Sequence, residues 1–137
     1  MAKILVVEDH ADSADVLIIA LKKAGHSVLH ALDGRRALDD LIDLPIDLIV
    51  LDLRMAGFDG IAFLRVLRSY LRWQALPVIV VSAATDVEME RAEQFGVAHV
   101  FRKANFQVDT FLTAVQDALQ PRDPHHGLDD SHGRPRY

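Results

Sequence analysis

The chain has no cysteine, which excludes disulfides, thiolate metal sites and cysteine nucleophiles together. It has no apolar run near the roughly 20 residues that span a bilayer; the longest, such as residues 77–84, are strand-sized. Positive charge is not in excess. Lys and Arg number 15 against 20 Asp and Glu, for a formal net charge of −5, the reverse of what nucleic-acid-binding modules concentrate to neutralise phosphates. The opening MAKILVVEDH has a single lysine followed by acidic residues and does not read as a secretory signal. The expectation is a cytoplasmic protein without nucleic-acid or membrane partners. What remains is a chain of 137 residues, 50% hydrophobic and 26% charged, enough for one compact core and too short for two ordinary domains.

Short β-branched apolar runs alternate with stretches of helical period. Residues 4–7, 28–31, 48–51, 78–81 and 97–101 are the expected strands. Three of them are apolar at nearly every position, the mark of strands buried on both faces of a parallel sheet. Between them, Ala14, Leu17, Ile18 and Leu21 share one helical face, with Gly25 as a stop. Ala37, Leu38, Leu41 and Ile42 form a second stripe closed by Pro45, and Ile61, Leu64, Leu67 and Leu71 a third. Residues 87–95 are a weaker, more charged segment, whereas Val108, Phe111, Leu112, Val115 and Leu119 repeat clearly. Five βα units in succession imply a doubly wound α/β sheet with helices on both faces. The flavodoxin-like strand order 2-1-3-4-5 is expected, with function at the carboxyl ends of the strands. Residues 121–137 hold three Pro, three His and two Gly and almost nothing apolar. The expected organisation is therefore a folded unit over residues 1–120 and a disordered tail over 121–137. His125, His126 and His132 could ligate a metal there, but a solvated tail is the plainer reading.

The strand ends are chemically unusual. The first ends in Glu8-Asp9, the third in Asp52, the fourth in Ser82 and the fifth in Arg102-Lys103. Taken singly, each has a bland explanation: a solvated acidic pair, a loop cap, a local hydrogen-bonder, a surface charge. In the order 2-1-3-4-5 all four edges are neighbours, and the groups converge on one patch. Three close carboxylates repel one another unless a cation sits among them, and hard oxygen ligands suit Mg²⁺. A serine and a lysine on the far side would meet phosphoryl oxygens. Such a set describes phosphoryl transfer to a carboxylate, where positioning and charge neutralisation dominate.

Four separated segments carry a specific resemblance. Residues 6–38, VVEDHADSADVLIIALKKAGHSVLHALDGRRAL, resemble the opening of bacterial response regulator receiver domains. Residues 52–60, DLRMAGFDG, resemble their phosphorylation loop, and residues 78–83, VIVVSA, their fourth strand; the likeness runs over about residues 3–119. By this resemblance Asp52 is the phosphoacceptor. Asp9 binds Mg²⁺ directly and Glu8 through water, with Asp52 and the backbone carbonyl of Arg54 as further ligands. Ser82 and Lys103 each contact a phosphoryl oxygen. The implied donor is a histidine kinase or histidine phosphotransfer protein. The implied function is a single-domain regulator that signals by protein contact to a downstream protein and is no enzyme beyond its own phosphoryl chemistry. The first helix and the loop after Lys103 are, by analogy, the kinase-docking surface.

Several positions depart from the family pattern. Ala56 stands where the phosphorylation loop usually has Pro. Val100 takes the place of the usual aromatic switch residue, and the adjacent Phe101 must face the other side of its strand. The usual Lys-Pro-Phe is replaced by Lys103-Ala104-Asn105-Phe106. A cis bond before a non-proline costs roughly 2.5–4 kcal/mol, so a trans Lys103–Ala104 peptide is expected. Arg54 and Ala84, two residues past Asp52 and Ser82, stand at the mouth of the site, where Arg54 either holds the phosphoryl group or is a solvated surface charge. Two rival readings use the same residues. A haloacid-dehalogenase-type hydrolase needs an Asp two residues after its nucleophile, where Arg54 stands. A pseudo-receiver keeps the fold without phosphorylation; the departures favour it, and the retention of Glu8, Asp9, Asp52, Ser82 and Lys103 opposes it.

Overall fold

A computed structural model describes residues 1–120. The elements alternate: β1 (Lys3–Val7), α1 (Ala11–Lys23), β2 (Ser27–Ala31), α2 (Gly34–Asp43), β3 (Leu48–Leu51), α3 (Gly60–Ser69), β4 (Val78–Ser82), α4 (Asp86–Glu93), β5 (His99–Arg102) and α5 (Val108–Leu119). The five strands form one parallel sheet in the order 2-1-3-4-5, the flavodoxin-like topology expected from the βα rhythm. The stretch 121–137, with His125, His126 and His132, lies outside the described residues.

Alternation along the strands divides the core between two faces. Leu5, Val7, Ile49, Leu51, Val78 and Val80 pack beneath α2, α3 and α4 with Phe63, Leu64 and Leu67. Ile4, Val6, Leu48, Val50, Ile79 and Val81 pack on the other side with Leu17 and Leu21 of α1 and Phe111 and Val115 of α5. Both faces of β1, β3 and β4 are covered, which is why these strands are apolar at successive positions and not at alternate ones.

Three expectations from the sequence pattern, two helical and one of a strand bound, do not hold. Leu71 falls outside the third helix: α3 ends at Ser69, Tyr70 is extended, and Leu71 sits 86% exposed in a short 3-10 turn, Leu71–Trp73. Arg68 fixes that reversal, donating to the carbonyls of Trp73 and Leu76 at 2.8 Å each and of Phe95 at 2.7 Å. Ile42, in the last turn of α2, is 56% exposed, beyond the reach of the sheet. The fifth strand begins two residues later than the expected 97, because Gly96 turns the chain with φ +75° before β5 joins the ladder at His99.

Helix starts are set locally. Asp33 accepts from the Arg36 amide and Asp59 from the Ala62 amide, each at 2.9 Å, satisfying donors the helices leave open. Thr85 and Glu88 form a reciprocal capping box at α4. Gly60 matters most for the site. A Cβ there would lie 2.5 Å from Leu53 Cα and 2.6 Å from the Asp52 carbonyl, so only glycine lets α3 begin hard against the loop that follows Asp52.

Candidate functional site

The carboxyl ends of β1, β3, β4 and β5 meet at one edge of the sheet. The ladder carries on into the site: the Glu8 amide donates to the Ala31 carbonyl at 3.1 Å and the Asp52 amide to the Val7 carbonyl at 3.0 Å. Glu8, Asp52 and Ser82 are the buried polar residues among the described ones, at 1%, 4% and 0% exposure, while Asp9 is exposed at the rim. One oxygen from each of Glu8, Asp9 and Asp52 can be chosen so that all lie within 4.8 Å of one another.

Each oxygen of Asp52 is engaged. Oδ1 accepts from the Ser82 hydroxyl at 2.5 Å and from the Arg54 amide at 3.0 Å. Oδ2 accepts from Lys103 Nζ at 3.1 Å. The same ammonium donates to Glu8 Oε1 at 2.7 Å, so Lys103 bridges two buried carboxylates. The second Glu8 oxygen takes the His10 amide at 3.1 Å, and Asp9 takes the Ala56 amide at 3.4 Å. Ser82 Oγ also receives the amides of Leu53 at 3.3 Å and Ala84 at 3.2 Å, which hold its oxygen against the Asp52 carboxylate.

Charge in this pocket is unevenly neutralised. Burial pushes the Glu8 carboxyl above the ordinary range, and the neighbouring Asp52 carboxylate adds to the rise against the lowering pull of Lys103. Burial works against the Lys103 charge, but its bonds to Glu8 and Asp52 outweigh that and raise its pKa. Three carboxylates thus face one ammonium. That donor set fits a hard divalent cation: three oxygen ligands from carboxylates, one of them at the solvent rim where water would have access, and no sulfur or imidazole nitrogen among them.

The side chains of Glu8, Asp9, Asp52, Ser82 and Lys103 are therefore brought to this edge, and Arg54 reaches it through its backbone amide on Asp52 Oδ1. The Arg54 side chain does something the sequence did not suggest. Its Nη2 lies 3.2 Å from Glu88 Oε1 on α4, a contact spanning 34 residues that no local pattern encodes. His30 was missed as well. Its Nε2 lies 2.7 Å from the Glu8 carbonyl, a bond to backbone and invisible to any side-chain motif.

The departures on β5 have a structural form. Val100 is half-buried beneath the α2–α4 face, while Phe101 packs on the opposite face with ring centroids 6.1 Å from Phe106 and 5.9 Å from Phe111. All peptide bonds of the described residues are trans. Lys103–Asn105 form a single 3-10 turn, closed by the Phe106 amide on the Lys103 carbonyl at 3.4 Å.

The family model described as the response regulator receiver domain matches residues 4–116. The chain belongs to that family. Receiver domains are the phosphoacceptor modules of two-component signalling; histidine kinases phosphorylate them, and they bind Mg²⁺ in an acidic pocket of the kind Glu8, Asp9 and Asp52 make here. Among curated proteins, this receiver domain is 36% identical over 118 residues to the transcriptional regulatory protein ZraR of Escherichia coli, covering 85% of the chain and 26% of ZraR. It is 38% identical over 84 residues to the DNA-binding response regulator MtrA of Mycobacterium tuberculosis, covering 61% of the chain and 36% of MtrA. The chain thus spans only about a quarter to a third of the length of such relatives. Among solved structures, a response regulator receiver protein from Pseudomonas putida superposes with a TM-score of 0.79 at 32% identity, covering 85% of this chain and 96% of that one. The Vibrio cholerae chemotaxis protein CheY4 gives 0.79 at 27% identity, with 87% and 99% covered. No helix of the described residues is long and apolar enough to cross a membrane.

Proposed function

We propose that this receiver domain, over residues 1–120, accepts a phosphoryl group on Asp52 from a phosphohistidine of a kinase or phosphotransfer protein, and signals in the cytoplasm by protein contact. The observation that carries the reading is the engagement of Asp52: buried, 2.5 Å from a serine hydroxyl and 3.1 Å from a lysine ammonium, beside two further carboxylates. In the transfer, an Asp52 carboxylate oxygen forms a bond to phosphorus as the bond from phosphorus to the donor imidazole nitrogen breaks, and the electron pair leaves with the imidazole. Asp9, Asp52 and the Arg54 carbonyl would hold Mg²⁺ directly and Glu8 through water. The bound cation supplies positive charge to the transferring phosphoryl oxygens and lets the carboxylates coexist.

The chain's own groups do the rest. Lys103 keeps its ammonium against Asp52 Oδ2, within reach of a phosphoryl oxygen on that side. Ser82 donates to Oδ1 and is placed to donate to a phosphoryl oxygen once one is there. The Arg54 amide, with the Ser82 hydroxyl, engages Oδ1 and so fixes the orientation of the carboxylate. Protein contact as the output is supported by the formal charge of −5, which disfavours direct binding to a phosphate backbone.

The test is incubation with acetyl phosphate and Mg²⁺, read by intact mass. One added phosphoryl group, absent from Asp52→Asn, is expected. Sustained turnover of a small phosphoester would make the protein a hydrolase. Absence of an adduct from any donor would make it a phosphorylation-independent binding module.

A further inference from the structure

Two ion pairs hold the first turn of α4 across the mouth of the acidic site. Arg54 pairs with Glu88 at 3.2 Å, and Arg102, at the end of β5, pairs with Asp86. The Glu88 oxygen that receives Arg54 also closes the capping box, accepting the Thr85 amide at 2.9 Å and its hydroxyl at 3.2 Å. One carboxylate oxygen therefore has three donors, one of which belongs to the acceptor loop. These bonds pull the Glu88 carboxyl below its ordinary range, the Thr85 amide most of all and Arg54 with it. The rest of α4 is thinly anchored. Of its eight residues only Met89 and Ala92 are buried, and Val87 is 66% exposed.

Arg54 is tied to the acceptor at its other end, since its amide donates to Asp52 Oδ1 at 3.0 Å. Its side chain is half exposed and can swing about that fixed backbone. A guanidinium offers a planar fork that matches two phosphoryl oxygens, and a phosphoryl group carries more charge than the single carboxylate oxygen Arg54 now meets. No aromatic ring links this site to α4 through β5, where Val100 stands on the α4 side of the sheet and Phe101 on the other.

We propose that Arg54 is a phosphoryl-sensing residue: when Asp52 is modified, its guanidinium exchanges Glu88 for a phosphoryl oxygen, and Glu88, with one donor fewer, loosens the first turn of α4. The inference rests on Asp52 being the phosphoacceptor. The signal then leaves the site as an exchange of ion-pair partners. Coupling of this kind is reciprocal. A change on the Glu88 side that weakens the Arg54–Glu88 pair must therefore favour the phosphoryl-bound form by the same factor.

Beryllium fluoride with Mg²⁺, a non-covalent stand-in for the phosphoryl group, makes the factor measurable by calorimetry on the full chain. Glu88→Gln keeps an oxygen for the Thr85 donors and removes the charge. It should bind beryllium fluoride roughly 2–5-fold more tightly than wild type, the range an exposed pair supports. Arg54→Gln should bind more weakly, and adding Glu88→Gln to it should bring no gain. Amide exchange over residues 86–89 should quicken on binding in wild type and stay unmoved in Arg54→Gln. An unchanged affinity for Glu88→Gln, or a gain that persists without Arg54, overturns the inference. A wild type that is phosphorylated on Asp52 while amides 86–89 stay unmoved overturns it and leaves the acceptor reading standing. A wild type that takes neither beryllium fluoride nor a phosphoryl group overturns both.

Discussion

Replacing Lys103 with methionine keeps the apolar stem and removes the one ammonium that bridges Glu8 and Asp52. Its Nζ lies 2.7 Å from the first carboxylate and 3.1 Å from the second, and both carboxylates are almost wholly buried. Two unit charges 3 Å apart attract by about 5 kcal/mol at an effective dielectric of 20. Breaking a buried pair by deleting one partner costs about 3–5 kcal/mol. Glu8, already pushed toward its protonated form, relieves part of this by taking a proton, and Lys103 is itself partly exposed. The net loss without divalent cation at pH 8 should be about 2–3 kcal/mol, or roughly 10 °C in Tm for a domain of this size. With Mg²⁺ the gap should narrow. With all three carboxylates ionised, as a bound cation requires, Glu8, Asp9 and Asp52 against Lys103 carry a charge of −2, and the variant carries −3. Magnesium should bind Lys103→Met on the order of tenfold more tightly, about 1.4 kcal/mol, and close roughly half of the stability gap. Thermal unfolding in EDTA and across a Mg²⁺ titration checks both halves. An unchanged Tm in EDTA, or a smaller Mg²⁺-induced rise than in wild type, would refute the reasoning.

Gly60→Ala places a methyl 2.5 Å from Leu53 Cα and 2.6 Å from the Asp52 carbonyl; overpacking against backbone should cost about 2–3 kcal/mol in a denaturant melt and slow labelling by acetyl phosphate. Phe111→Ala empties a fully buried position on the α5 side and should cost about 3–5 kcal/mol without changing Mg²⁺ affinity. His26, which accepts the Ala2 amide at Nδ1, has its pKa lowered by burial and by the nearby N-terminal charge. The unfolded chain therefore binds its proton first, and the stability held above pH 6.5 is lost as pH falls through the lower folded value. His26→Asn should flatten the decline in Tm on that acid side.

Much of this architecture could be read from the sequence because its causes are local or topological. The unbroken apolar runs of β1, β3 and β4 announce burial on two faces, and the strand order then places Glu8, Asp9, Asp52, Ser82 and Lys103 at one edge without knowledge of a single contact. That Val100 and Phe101 face opposite sides of the sheet follows from strand alternation alone. What escaped the pattern depends on groups far apart in the chain. Leu71 continues the helical stripe of α3, yet Arg68 captures carbonyls of residues 73, 76 and 95 and turns the chain away. Arg54 reads equally well as a solvated charge until Glu88, 34 residues later, is seen beside it. The His30 contact with the Glu8 carbonyl involves a backbone atom, which no side-chain motif can flag.

The measurement that bears most directly on the account is peptide mapping of the phosphorylated chain, prepared with a phosphohistidine donor in Mg²⁺ and again in EDTA. A single acyl phosphate on the peptide containing Asp52, formed in Mg²⁺ and lost in EDTA, is the predicted result. A phosphoryl group found on another residue, or one that forms equally well in EDTA, would contradict it.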